Sequence, residues 1–417
     1  MKTRLLLITA AAAACLPFTA SAQASDVKIY GTLLPFVDSI QTTGATAPGL
    51  SPATGGAALV PGSAYTGSNL PSRNRITSGT SNLGFKGTFR VNEDLQVFWQ
   101  IESAVSPDGD APNTLAGRNS AVGLKGAWGT AFVGNWDTPY KYPILFVGAL
   151  RGLNPFDNAL TANPGFNVPG TTTQTGRING KADAAFNRRQ GNSIQYWSPT
   201  WNGFSGRVAY SAGEGKTVDT PTTASITPDL WSALVTYEAG PFGISYAHER
   251  HNDYFGLAQM GGAAGATLTN RGSRDDGDEL VAHYAFPSGT KLSAIAERLT
   301  YDMDDTVAGN VSHYQRSAWY VLLQQQLGSH QLWASLGTAG AGSATRTGGA
   351  SASTDGLGGK QWSLGYSYAL SKSADLYASY YGMDNDRSAS YALFPPLGTV
   401  APGASSKGFG VGILYTF

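Results

Sequence analysis

From residue 27 to residue 417 the chain reads as about sixteen short alternating segments, joined by connections that are tight and long in strict turn. The candidate strands are 27–40, 81–91, 94–104, 118–127, 129–137, 190–198, 203–213, 229–239, 241–251, 278–286, 289–301, 313–327, 329–339, 360–370, 374–384 and 407–417. Tight links stand at Asn92-Glu93, Trp128-Gly129, Pro199-Thr200, Gly240-Pro241, Pro287-Ser288, Gly328-Ser329 and Ser371-Lys372. Between them lie Gly-, Ser-, Thr- and Asn-rich stretches at 41–80, 105–117, 138–189, 214–228, 252–277, 302–312, 340–359 and 385–406. Such sorting puts every tight turn on one rim of a sheet and every long loop on the other, as a membrane-spanning barrel requires. A β-sandwich has no reason to sort its loops by length. The expected fold is all-β: an antiparallel transmembrane β-barrel, about 16-stranded.

Period-two alternation places successive side chains on opposite faces of a sheet. In the last segment Phe409, Val411, Ile413, Tyr415 and Phe417 share one face, and Gly408, Gly410, Gly412, Leu414 and Thr416 share the other. Unpaired, this strand would be a sticky edge. As the closing strand of a barrel, its apolar face meets lipid and its aromatics reach the membrane interface. Leu83, Phe85, Gly87, Phe89 and Val91 oppose Gly84, Lys86, Thr88 and Arg90 in the same manner. Leu95, Val97, Trp99 and Ile101 oppose Gln96, Gln100 and Glu102, with Phe98 the exception. The second face is small or polar throughout, which predicts a wet lumen. Segments 129–137 and 313–327 alternate poorly, and their register is open.

The amino terminus predicts export. Met1 to Arg4 is a basic n-region, Leu5 to Cys15 an apolar h-region, and Ala20-Ser-Ala22 a small-residue cleavage site. The expected organisation is a signal peptide over 1–22 and one barrel over 23–417. An alternative, acylation at Cys15, fits less well because the three positions immediately before it are all alanine, where a bulky aliphatic would be expected. Cys15 is the only cysteine, so the processed chain has no disulfide scaffold, thiolate metal site or thiol nucleophile. Loss of Lys2 and Arg4 takes 28 basic residues to 26 against 28 acidic, a net of −2. That balance gives no warrant for a nucleic-acid partner. No stretch of the processed chain approaches the ~20 apolar residues of a spanning helix. A mean hydropathy of −0.16 is compatible with a barrel, whose lipid-facing residues are only every second one.

The longest connection, 138–189, far exceeds an ordinary structureless link. It carries Tyr140, Tyr142, Phe146, Phe156 and Phe166 with few charges: Arg151, Asp157, Arg177, Lys181 and Asp183. Exposed, so aromatic a loop would be a liability. It is expected to fold inward against the wall and narrow the lumen; the alternative is a cover over the mouth.

Val27-Lys-Ile-Tyr-Gly31, Ser81-Asn-Leu-Gly-Phe-Lys-Gly87 and Arg118-Asn-Ser-Ala-Val-Gly-Leu-Lys-Gly126 occur in that order. They are followed by Gly129-Thr-Ala-Phe-Val-Gly-Asn135, Asn192-Ser-Ile-Gln-Tyr-Trp-Ser-Pro199, Gly203-Phe204 and Phe417. With these motifs the chain resembles the general diffusion porins of Gram-negative outer membranes, especially the β-proteobacterial branch. The resemblance implies a sixteen-stranded, homotrimeric barrel with its third external loop folded into each pore. It implies passage of ions and small hydrophilic solutes, contact with outer-membrane lipid and lipopolysaccharide, no cofactor and no metal. Phe417 would belong to the signal read by the barrel-insertion machinery. One departure concerns the loop, which in many such porins carries several acidic residues; here it offers mainly Asp157, with Arg151 nearby. On the inferred inward face stand Lys86, Arg90, Lys125 and Arg207 against Glu102, Glu238 and Glu279. Lining charges bias ion passage by their sign, so a weak anion preference is expected.

Other functions find less support. His248, His251, His283, His313 and His330 could supply the base of a barrel-wall lipase, but no Gly-x-Ser-x-Gly elbow accompanies them. Acidic clusters at 275–279, 302–305 and 384–386 lack the full calcium-loop pattern. Tyr377, Tyr380 and Tyr381, or Trp197 and Trp201, could form a slide in a channel specific for a sugar or organic anion, or could belong to lipid-facing girdles. A purely structural or adhesin barrel would conduct nothing.

Overall fold

The computed structural model describes residues 26–45, 70–109, 115–145, 147–148, 160–166, 184–212, 227–259, 272–304, 310–393, 400 and 402–417. β1 (Asp26–Leu33) and β2 (Phe36–Thr43) are two halves of one span, and β3 (Leu70–Thr77) and β4 (Asn82–Arg90) are the halves of its neighbour. Pro35 breaks the first because it has no N–H for the ladder. Across from it the chain turns at Gly79, whose φ of +56° favours glycine. Side chains close the gap: Leu34 N–H donates to Ser81 Oγ at 2.8 Å.

The sheet continues through β5 (Leu95–Ala104), β6 (Ser120–Gly126), β7 (Gly129–Asp137), β8 (Arg189–Trp197), β9 (Phe204–Ala212), β10 (Asp229–Ala239) and β11 (Phe242–Asn252). Then come β12 (Ser273–Ala285), β13 (Thr290–Met303), β14 (Val311–Leu327) and β15 (His330–Ala339). A small hairpin, β16 (Ser343–Arg346) and β17 (Ser351–Ala352), leans on β14. β18 (Gly359–Ala369), β19 (Ala374–Asn385) and β20 (Ser405–Thr416) complete the order. The spans form a closed, antiparallel 16-stranded barrel, because β20 pairs with β19 on one side and with β1 and β2 on the other. At that seam Gly31 and Phe417 exchange N–H···O bonds of 3.0 and 3.1 Å.

The outer face is apolar. Val122, Val133, Ile194, Val208, Val235, Leu280, Leu323 and Leu364 all stand on it, with Phe409, Val411, Ile413, Tyr415 and Phe417 on the closing strand. Aromatic pairs gather near the tight-turn rim: Trp128 with Tyr196, Phe204 with Tyr237, and Tyr415 with Phe417. A second belt toward the long loops includes Tyr210 with Trp231 and Trp362 with Tyr380. Two aromatic belts flanking an aliphatic band match the interfaces of a bilayer.

Three local readings need correction. The expected loop 41–80 contains β3, which was invisible because its outward face carries Ser72 and Asn74 rather than a run of apolar residues. β12 begins at Ser273, not 278, and the expected loop 340–359 holds the β16–β17 hairpin. The third correction concerns the lumen, which is not small and polar all round. Val281, Ile295, Tyr320, Leu322, Trp333, Tyr377 and Leu414 face inward and are buried, packed together with Val147 and Leu160 of the segment after β7. A second buried cluster sets Tyr140, Ala162, Phe166 and Phe186 against Leu234, Leu299, Tyr301 and Tyr314. This wall is apolar because the in-folded loop covers it.

Candidate pore lining and its in-folded loop

The described parts of the third long connection enter the barrel through a one-turn helix, α1 (Lys141–Ile144). Two residues of the far wall fix them there. Glu297 on β13 accepts from Tyr140 O–H at 2.8 Å and from Ala162 N–H at 2.5 Å. Arg316 on β14 pairs with Glu297 at 2.9 Å, both side chains wholly buried, and donates to the carbonyls of Leu160 and Asn163. Tyr301 O–H adds a bond to Ala184 O at 2.5 Å. Burial, then the neighbouring Glu297 carboxylate, pushes the Tyr140 phenol well above its ordinary range, so it remains a donor.

The opposite wall, from β1 to β9, carries a set of charges: its carboxylates Asp38, Glu102 and Asp137 are buried, while Lys86 and Lys125 are exposed. Arg75 holds Asp38 through two bonds of 2.9 and 2.6 Å, and Tyr381 O–H donates to the same carboxylate. Glu102 faces inward and accepts from Arg118 at 2.5 Å and from Tyr30 O–H at 2.9 Å. Asp137 lies 3.0 Å from Lys141 and 3.2 Å from Arg189, while Asn119 donates to it at 2.8 Å. Burial lowers the Lys141 pKa, and the Asp137 carboxylate works against that shift.

Lys86 lies on the inward face over the Tyr30 ring, 4.4 Å from its centroid. Arg90, near the tight-turn rim, donates to Asn92 O. Lys125 and Arg207 share one row of the ladder with it, which runs Arg90, Gln96, Lys125, Thr130, Trp197, Arg207 across six strands. Among the described residues no carboxylate lies within ion-pair distance of Lys86, Lys125 or Arg207. Arg151 and Asp157 lie outside the described residues. Glu279 is buried behind the loop, and Glu238 sits 3.5 Å from His283 near the tight-turn rim.

Arg75, Arg118, Arg189 and Lys141 were missed by sequence reasoning. Arg73 and Arg75 did carry a signal, being two apart within a polar stretch, but without an apolar partner face it was too faint to mark a strand. The aromatic candidates divide: Tyr380 and Trp201 point outward, while Tyr377, Tyr381 and Trp197 point inward. The acidic clusters are engaged by neighbours. Asp276 meets Arg250 and Arg274, Asp278 meets His248 and Tyr246, and Asp302 meets His313.

Known proteins agree with this architecture. The family model described as Gram-negative porin matches residues 9–388. The major outer membrane protein P.IA of Neisseria meningitidis serogroup A is 29% identical over 286 residues, covering 61% of this chain and 65% of that protein, just under two thirds of its length. Outer membrane porin protein 32 of Delftia acidovorans is 26% identical over 353 residues, covering 82% of this chain and 86% of the relative. Among solved structures, an anion-selective porin from Comamonas acidovorans superposes with a TM-score of 0.67 at 20% identity, covering 94% of this chain and 100% of its own. A closed sixteen-span barrel with an apolar belt, an in-folded loop and a family match over most of its length is thus one molecule seen four ways, and the chain belongs to the Gram-negative porin family.

Proposed function

We propose that this chain forms a water-filled channel of the outer membrane for passive diffusion of ions and small hydrophilic solutes, with a preference for anions. One observation carries the sign of that preference: Lys86, Lys125 and Arg207 stand on the charged wall without a carboxylate partner among the described residues. Asp38, Glu102 and Asp137 on that wall are instead each matched by an arginine. Fixed positive charge in a narrow, low-dielectric passage concentrates anions and repels cations. The porin from Comamonas acidovorans, described as anion-selective, supports the same sign.

The reading extends to the chain's surroundings. A leader cleaved after Ala22 delivers the barrel 23–417, and Phe417 serves the insertion machinery. The outer apolar belt contacts lipid and lipopolysaccharide, and three copies assemble as a homotrimer. Intact-mass measurement tests the cleavage, with a mature chain beginning at Gln23 expected. Reversal potentials of the purified protein in planar bilayers under a potassium chloride gradient test the channel. A potential of the sign set by chloride is expected; a cation-selective potential contradicts the proposal, and no conductance at all would favour a structural barrel.

A further inference from the structure

Arg207 differs from the other arginines of the charged wall. Arg75, Arg118 and Arg189 each have a carboxylate at ion-pair distance. Arg207 instead has rings: its guanidinium carbon lies 3.1 Å from the centroid of Tyr142 and 4.1 Å from that of Trp197. Both contacts fall within the range of cation–π attraction. Guanidinium N–H groups lie in the plane of the group, so its edge, shared in part with Tyr142, keeps N–H groups that can donate to a carboxylate.

Beside this edge runs an aromatic strip on the inward face of β5, β7 and β8, in which Phe98, Trp136 and Trp197 are half-buried and Phe132 is buried beneath them. Trp197 meets Phe132 at 5.1 Å and Trp136 at 5.7 Å between centroids, and Phe132 meets Phe98 at 5.7 Å. Trp136 lies within 5.1 Å of Phe132, opposite a register shift in which β8 carries one extra residue between Gln190 and Ser193. The strip lies outside the two large buried clusters and meets the in-folded loop at one edge, where Trp197 stands 6.4 Å from Tyr142 between centroids. Aromatic rings facing a polar passage, with an arginine edge at one end, match a solute that is itself a ring bearing an anion.

We infer that Arg207, Trp197 and Trp136 form a transit site for aromatic carboxylates, with the buried Phe132 supporting the indoles from behind: the solute's ring lies on the indoles and its carboxylate takes the Arg207 edge. Arg90 and Lys125, in the same ladder row, supply the field that draws the anion in. This inference rests on the proposed reading of the chain as a channel that passes anions.

The test is chloride current through the purified full chain in planar bilayers, titrated with benzoate and with cyclohexanecarboxylate, its saturated counterpart of the same charge and similar size. Benzoate is expected to interrupt the current at concentrations about two- to ten-fold lower than cyclohexanecarboxylate. Trp197→Leu should remove that difference, and Arg207→Gln should weaken both acids together. Phe98→Leu, at the far end of the strip, provides a milder variant and should shift benzoate alone by a smaller factor in the same direction. Equal interruption by the two acids, or a benzoate preference that persists in both aromatic variants, overturns the inference. A chain that carries no chloride current fails at the earlier step, as a channel, and takes the transit site with it.

Discussion

The two halves of the barrel's inner wall follow opposite rules. From β1 to β9 the inward face carries paired charges whose carboxylates are buried, and cations such as Lys86 and Lys125 that are exposed. From β10 to β20 much of it is aliphatic and aromatic, packed like the interior of a soluble domain beneath loop residues such as Val147, Leu160 and Phe166. The same strand pattern serves both because the sheet dictates only which residues point inward. What lies inward of them, water or loop, decides whether polar or apolar side chains are stable there. On the proposed function, one wall sets the channel's selectivity and the other the stability of its constriction.

Variants should separate the walls. The largest effect is expected at the buried pair that anchors the loop. Arg316→Met leaves Glu297 without its partner in a fully buried site, where breaking such a pair costs about 3–5 kcal/mol. Thermal unfolding in detergent should show the loss, and conductance should rise as the loop loosens. The double variant Arg316→Met with Glu297→Leu should regain much of the stability; if it does not, the loop is seated chiefly by its apolar contacts. Leu322→Ala on the covered wall should cost about 2–5 kcal/mol through the cavity it leaves, with ion selectivity unchanged. A large selectivity change in that variant would mean that the two walls are not independent.

On the charged wall the expected pattern reverses. Lys125→Glu should shift stability by only about 0.5 kcal/mol, as exposed substitutions do, yet lower the chloride-to-potassium permeability ratio about two-fold or more. The smallest effect concerns pH. Lys141, between the walls, has a folded pKa lowered from 10.5 chiefly by burial. A base so depressed costs stability while protonated; that cost is relieved as pH rises through its folded value toward the unfolded one. Its positive charge is lost over the same window, so anion preference should begin to fall at a lower pH than an ordinary lysine would give. Reversal potentials measured between pH 8 and 11 should show this decline, and Lys141→Arg should abolish it.

Much of the barrel was legible in the sequence because lipid imposes a one-dimensional rule. Each alternating run facing an apolar medium declares itself locally, and the lengths of the connections sort the rims. The rule fails where the outer face leaves the bilayer. Ser72 and Asn74 meet water-facing neighbours such as Ser39, so β3 shows no apolar stripe. It fails again inside. Nothing in the sequence marked Glu297 and Arg316, because their partners Tyr140, Leu160 and Ala162 lie more than a hundred positions away. Lys86, Arg90, Lys125 and Arg207 could be named from parity alone, whereas Arg75, Arg118 and Arg189 needed Asp38, Glu102 and Asp137 brought beside them.

The bonds between Gly31 and Phe417 have a kinetic consequence. Neighbouring spans elsewhere are joined through successive chain segments, so each ladder can zip from its own turn. The seam alone joins the two extremes of the described chain, and its loop-closure entropy must be met before any of its contacts form. Folding should therefore slow at ring closure, with a nearly complete curved sheet waiting on one pairing. During that wait the free margins of β20 and of β1–β2 are open strand edges, the species most exposed to mispairing with another chain.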